Sequence, residues 1–182
     1  MNGGIPPTGR RLHIGGTIRA PGWEVLNVAP GDHVDHIGTA EDLSRFPDGT
    51  FDAVYASHVL EHLSPRGQLE NGLREWHRVL RPAGTLYVSV PDLDVLARLF
   101  ADRARVDVNE RFQIMLMMFG AHADLHDRHE IGFNDEFLRH FLAEAGFVNV
   151  RRVQSLGKFR DTSEMRFKGI YISLNVIAEK SA

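Results

Sequence analysis

The chain has 182 residues, 43% of them hydrophobic, and a formal net charge of −3, which suits one domain with a full core. Its Lys and Arg residues are scattered, so nothing marks a nucleic-acid surface, and no apolar run approaches the length of a membrane span. The absence of cysteine removes disulfides, thiolate chemistry and cysteine-ligated zinc.

Residues 1–10, MNGGIPPTGR, lack an apolar segment and read as a flexible lead-in to a single domain over 1–182 rather than a secretion signal, so a cytoplasmic protein is expected. Arg11 to Gly16 and Glu24 to Ala29 read as two short strands. Only Thr17 to Trp23 separates them, so the crossover helix that parallel neighbours normally need is absent. His33 to Ile37 predicts a third, short strand after the Pro30-Gly31 turn. Phe51, Ala53, Val54, Tyr55 and Ala56 form a nearly continuous apolar run, as in a parallel strand covered on both faces.

Ser64 is placed to cap a helix with Pro65 at its first position and Leu69, Leu73, Trp76 and Leu80 on one face, stopped by Pro82 and Gly84. The β-rich stretch Thr85 to Val90 gives the next buried strand. Helical spacing follows over Leu93 to Arg103 and Glu110 to Phe119, the second with Phe112, Met115, Leu116 and Phe119 on its apolar side. Met115, Met117 and Met118 read as adaptable core. Asn134 caps a helix whose Phe137, Leu138, Phe141, Leu142 and Ala145 face the core and which Gly146 closes. Phe147 to Val153 and Gly169 to Ala178 are the last strands, paired antiparallel at a sheet edge. The expected fold is α/β: one Rossmann-like, mostly parallel sheet flanked by helices, with an antiparallel C-terminal edge strand.

Polarity returns abruptly after the Phe51 strand, at Ser57, His58, Glu61 and His62. In open α/β sheets ligands bind beyond the carboxyl ends of strands, so these residues face the expected crevice. As a bare pattern, His58-x-x-Glu61-His62 matches an inverted zinc-hydrolase motif. That chemistry needs a continuous helix, whereas here a strand ends just before His58, and no metal ligand is assigned. A second cluster, His122, His126 and His129, lies between Gly120 and Gly132 and reads as a loop.

FDAVYASHVLEHL (residues 51–63), followed by WHRVLRPAGTLYVSVPDL (residues 76–93), resembles the middle of a class I, S-adenosylmethionine-dependent methyltransferase of the type 11 group. The resemblance runs from about Arg11 to Lys180 and is closest to a small bacterial subgroup, with further matches in MMFGAHADLHDRHEIGF, EFLRHFLAEAGF, DTSE and ISLNVIAEK. It implies a cofactor groove lined by Gly15, Gly16, Asn27, Thr39, Ala40, Glu41 and Ser57. Three positions depart from the subgroup's pattern. Thr17 replaces a glycine, Asn27 replaces the acid that holds the cofactor ribose, and Thr39 replaces an aspartate near the adenine. Each change should weaken binding, and replacing Asn27 by aspartate is expected to restore some of it.

The resemblance implies S-adenosylmethionine as cofactor and methyl transfer to a hydroxyl of a small-molecule or sugar acceptor, as in surface-polysaccharide synthesis, with His129 first and His58 second as general base. No nucleic-acid or membrane partner is expected, and a homodimer remains open. The competing expectation is a non-catalytic binding module that keeps the fold with an altered cofactor pocket.

Overall fold

The computed structural model describes residues 9–123 and 127–182, so most of the expected lead-in, and His126, lie outside the described residues. The first strands are β1 (Arg11–Ile14), β2 (Glu24–Asn27) and β3 (His36–Ile37). β1 and β2 pair in parallel with no helix between them, as expected. The short return is possible because a four-residue strand rises only about 13 Å, whereas Gly15 to Trp23 can span roughly 30 Å when extended. Trp23 then packs edge-on to Tyr55 and Phe159, on a sheet face that no crossover helix covers here.

The central strand is β4 (Phe51–Ser57), followed by a short 3-10 turn over Leu60–His62, α1 (Gln68–Val79) and β5 (Leu80–Pro91). β4 pairs with β1 and β5, both in parallel. Helix α1 buries Leu69, Leu73 and Trp76 against the main core, as the periodicity predicts. Two boundaries differ from expectation. The helix enters through Gly67 at φ 107° with no side-chain cap, because Ser64 orders the preceding turn by accepting from the Arg66 N–H. Leu80 opens β5, and Pro82 and Gly84 lie within a bulge where the register against β4 slips between Phe51 and Ala53.

Next come α2 (Leu93–Ala101), capped by Asp92, and α3 (Val108–Phe119), closed at its start by a capping box of Asp107 and Glu110. The expected apolar face of α3 is rotated: Ile114 is its buried residue, while Phe112 and Phe119 are exposed. Periodicity marks an amphipathic helix but not which residue meets its neighbours, and here Ile114 packs with Leu96, Leu99, Val106 and Ile172. Met117 and Met118 flank that cluster, as adaptable core should.

The chain ends with α4 (Asp135–Glu144), β6 (Phe147–Val153), a two-stranded hairpin of β7 (Arg166–Phe167) and β8 (Ile170–Tyr171), and β9 (Ser173–Lys180). Asn134 caps α4 by accepting from the Phe137 N–H; Leu138 and Leu142 are buried, but Phe137 is exposed. The expected last strand is divided at Ile172, and its longer part inserts between β5 and β6, antiparallel to both. The seven-stranded sheet thus has the order β3-β2-β1-β4-β5-β9-β6, parallel through β5 with an antiparallel pair at one edge. Among the described residues no helix is long and apolar enough to cross a membrane.

Candidate active site

The ends of β1, β2 and β4 open into a cavity of about 420 Å³, within the range of small-molecule sites. At one end it is walled by the β1 and β2 termini (Ile14, Gly15, Leu26, Asn27, Val28) and by Gly38 to Glu41. Gly15 sits at φ 71°, and an added Cβ would lie 2.7 Å from the Val59 side chain. Only glycine fits that turn without strain. Its N–H donates to the Leu26 carbonyl at 2.8 Å, tying the first two strand ends together.

Of the seven expected cofactor residues, Gly15, Asn27, Thr39, Ala40 and Glu41 line this cavity, while Gly16 and Ser57 stand outside its lining. Gly16 covers the buried His13 ring. Ser57 shares a 3.2 Å hydrogen bond with Thr162. Thr17 is exposed and also outside the lining, so its Cβ does not narrow the cavity. The Asn27 amide is already engaged: Nδ2 donates to the Gly16 carbonyl at 3.0 Å in the loop after β1, and Oδ1 accepts from the Ala29 N–H at 3.0 Å in its own turn. An aspartate could make only the second bond. Trp76 Nε1 donates to the Ala40 carbonyl at 2.7 Å, anchoring the third wall to the core.

The other end is formed by His58, Val59, His62, Leu63, Arg128 and Glu130. His58 follows β4 at φ 55°, uncommon for a residue with a Cβ. Its Nε2 meets Ser173 Oγ at 3.0 Å, and that hydroxyl already donates to the Thr162 carbonyl at 2.8 Å. Nε2 therefore carries the proton, and Nδ1 presents its lone pair to Glu61 Oε1, 3.3 Å away. Burial holds the His58 ring down at a pKa of about 4. Glu61 is 1% exposed, has no hydrogen-bond partner among the described residues on either carboxyl oxygen, and is pushed up to about 8 by burial.

His129 joins this group from the far loop. It does not line the cavity but stands edge-on behind His62, with ring centroids 5.0 Å apart. His62 Nδ1 bonds the Arg128 carbonyl at 2.9 Å, and His129 Nδ1 the Met118 carbonyl at 3.2 Å. Both rings thus donate outward and leave Nε2 bare. Burial is the main cause that lowers the His129 pKa. The loop is held there because the Glu130 and Ile131 N–H groups both donate to the Glu61 carbonyl, at 2.7 and 3.3 Å. Val59, Arg128 and Glu130 were not singled out from sequence; the dense polarity of DRHE between two glycines was the available signal.

The zinc-hydrolase geometry is not realised. His58 lies outside the 3-10 turn that carries Glu61 and His62, so the two histidines do not sit one turn apart on a helix. The sheet order instead agrees with the fold of solved S-adenosylmethionine-dependent methyltransferases. Residues 25–88, about a third of the chain, match the family model described as a methyltransferase domain. The chain is similar to a solved S-adenosylmethionine-dependent methyltransferase of Thermotoga maritima, described as a possible histamine N-methyltransferase, at 20% identity and TM-score 0.60 over 97% of this chain and 84% of that one. It is similar at 18% identity and TM-score 0.57, over 96% and 73%, to a Burkholderia thailandensis 1,6-didemethyltoxoflavin-N1-methyltransferase solved with 1,6-didemethyltoxoflavin and S-adenosylhomocysteine. A possible exported protein of Bordetella parapertussis matches at 15% identity and TM-score 0.60; 98% of this chain spans only 64% of that one. No curated protein matches the chain.

Proposed function

We propose that the chain transfers the methyl group of S-adenosylmethionine to a hydroxyl of a small-molecule or sugar acceptor. The observation that carries this reading is one cavity joining the Gly15 turn to the histidine cluster across the carboxyl ends of β1, β2 and β4. The first end fits an adenosyl group: a glycine turn that admits close approach, apolar walls from Ile14, Leu26 and Val28, and polar groups at Asn27, Thr39 and Glu41. Gly16 would support this turn from behind, and Ser57 would border it at the end of β4. The bound cofactor supplies an already activated methyl group. The chain therefore has to orient the acceptor oxygen in line with that carbon and remove its proton.

The histidine end is suited to the second task. His129 Nε2 carries a free lone pair on a ring already held in one tautomer, and it is the first candidate to accept the proton, although its ring stands outside the cavity lining beside His62. His58 Nδ1 is the second, although it faces the Glu61 carboxyl. A small acceptor agrees with the cavity's size, and the similar Burkholderia protein holds a small molecule. The engaged Asn27 amide favours one other reading, a module that binds the cofactor weakly without turnover.

Calorimetric titration of the whole chain with S-adenosylhomocysteine tests the proposal. Saturable binding is expected, with a rise in melting temperature by mass action. Absence of binding at millimolar ligand, with Asn27→Asp also silent, would overturn methyl transfer and leave a non-catalytic module with a lost cofactor pocket. Binding without methylation of any hydroxyl in a panel of sugars and phenols would favour the module.

A further inference from the structure

We propose that Glu61, His62 and His129 bind a divalent transition-metal ion in the wall of the cavity's histidine end, where His62 is the one of the three that lines the cavity. One ligand atom from each of these residues lies within 4.8 Å of the other two. Around an ion with bonds of about 2.0–2.2 Å such atoms sit roughly 3–4 Å apart, so small side-chain rotations close the site. Two imidazoles and one carboxylate suit zinc, iron or manganese, and three protein ligands leave positions open for an acceptor oxygen.

Proximity alone would carry little; the arrangement of protons carries more. His62 and His129 both spend Nδ1–H on backbone carbonyls, the outer-shell pattern that fixes a metal-binding histidine with Nε2 bare. Within reach of both stands the Glu61 carboxyl, almost fully buried and with no hydrogen-bond partner among the described residues. A third ring, His58, aims its own lone pair at Glu61 Oε1 because its Nε2–H is committed to Ser173. Among the described residues no backbone or side-chain donor bonds the Glu61 carboxyl, so once it is deprotonated its oxygens and the nearby imidazole nitrogens are all acceptors. Buried polar atoms are normally paired, and a cation pairs them all at once. The Glu130 and Ile131 N–H bonds to the Glu61 carbonyl bring the distant loop into place for it.

This differs from the hydrolase pattern, in which His58 would be a ligand and Glu61 a base. It rests on the methyl-transfer reading only for what the ion would do, which is polarise the acceptor oxygen. His129 is then a ligand, and its role as base is confined to the metal-free chain.

The test uses the whole chain stripped with a chelator and titrated separately with zinc and manganese, with magnesium as comparison. One equivalent of zinc or manganese per chain is expected, bound much more tightly than magnesium. Glu61→Gln and His129→Ala should each weaken it by more than about tenfold, since even orienting partners are worth 10–100-fold. His140→Ala, on the far helix α4, should bind as the parent does. Circular dichroism and melting curves confirm that each variant is folded, and Glu61→Gln keeps the side chain's shape if His129→Ala does not fold. No binding by the parent chain, or parent-like binding by a folded Glu61→Gln, would overturn the proposal. Cofactor binding measured in chelator stays independent, so failure of the metal site and failure of methyl transfer are separable.

Discussion

At the Gly15 end the cavity is walled by backbone turns and apolar side chains whose polar neighbours are already paired: Gly15 with Leu26, Asn27 with Gly16 and Ala29, Trp76 with Ala40. At the histidine end the reverse holds. Glu61 has no hydrogen-bond partner among the described residues, His58 sits in a left-handed conformation, and ligand atoms of Glu61, His62 and His129 lie within 4.8 Å of one another. A buried polar group left unpaired costs about 1–3 kcal/mol, so the second end sacrifices stability that the first retains. Shape and close approach suffice where an adenosyl group is to be held. Unpaired groups are needed where a proton or a cation has to be handled.

The largest way to break this contrast is to remove the anchor of the paired end. Trp76→Ala deletes a fully buried ring together with its bond to the Ala40 carbonyl, and should cost about 3–5 kcal/mol. Thermal melting should show a drop on the order of 10 °C, with loss of cofactor affinity. No change in either would mean that the Thr39 to Glu41 wall does not depend on the core beneath it.

The second concerns the exception under the paired end. His13 is 4% exposed, its Nδ1 is unpaired, and burial lowers its pKa to about 4. Because the folded value lies below the unfolded value of about 6.5, the unfolded chain binds the proton more tightly. Stability is therefore full above pH 6.5 and falls as pH drops toward 4, by up to roughly 3 kcal/mol. His13→Phe should remove that slope, seen as the difference between parent and variant in urea midpoints at pH 7 and pH 4.5. Parallel slopes would rule the assignment out.

At the unpaired end, Glu61→Met should stabilise the metal-free chain by about 1–3 kcal/mol, since it replaces an unpartnered buried carboxyl by an apolar group of similar size. Destabilisation would mean that the carboxyl already has a partner worth more than its burial costs. The smallest effect is expected from Asn27→Asp. The sequence argued for tighter ribose binding, but the Gly16 carbonyl would lose its donor and face a carboxylate. A stability loss of about 1 kcal/mol should offset the charge-assisted gain, and calorimetry should show no net tightening. A tenfold gain in affinity would restore the original expectation.

Local pattern carried much of this protein. The apolar run at Phe51, the strand at Thr85, the spacing of Leu69, Leu73 and Trp76, and the Asn134 cap each act within one turn or one strand, so period and capping chemistry expose them. The missing helix between β1 and β2 was legible for the same reason, being a matter of chain length. Gly15, Asn27 and Thr39 to Glu41 could be placed because they follow strand ends, where a parallel sheet opens its crevice. Other features had no local signature. Which face of α3 packs, the insertion of β9 between β5 and β6, and the engagement of Asn27 with Gly16 depend on contacts between distant segments. The meeting of Glu61 and His62 with His129 depends on a loop returning across the sheet edge and bonding the Glu61 carbonyl. Hydrophobic period reports what a segment buries but not what it is buried against. The partners of a buried charge are therefore fixed only when the whole chain has closed around it.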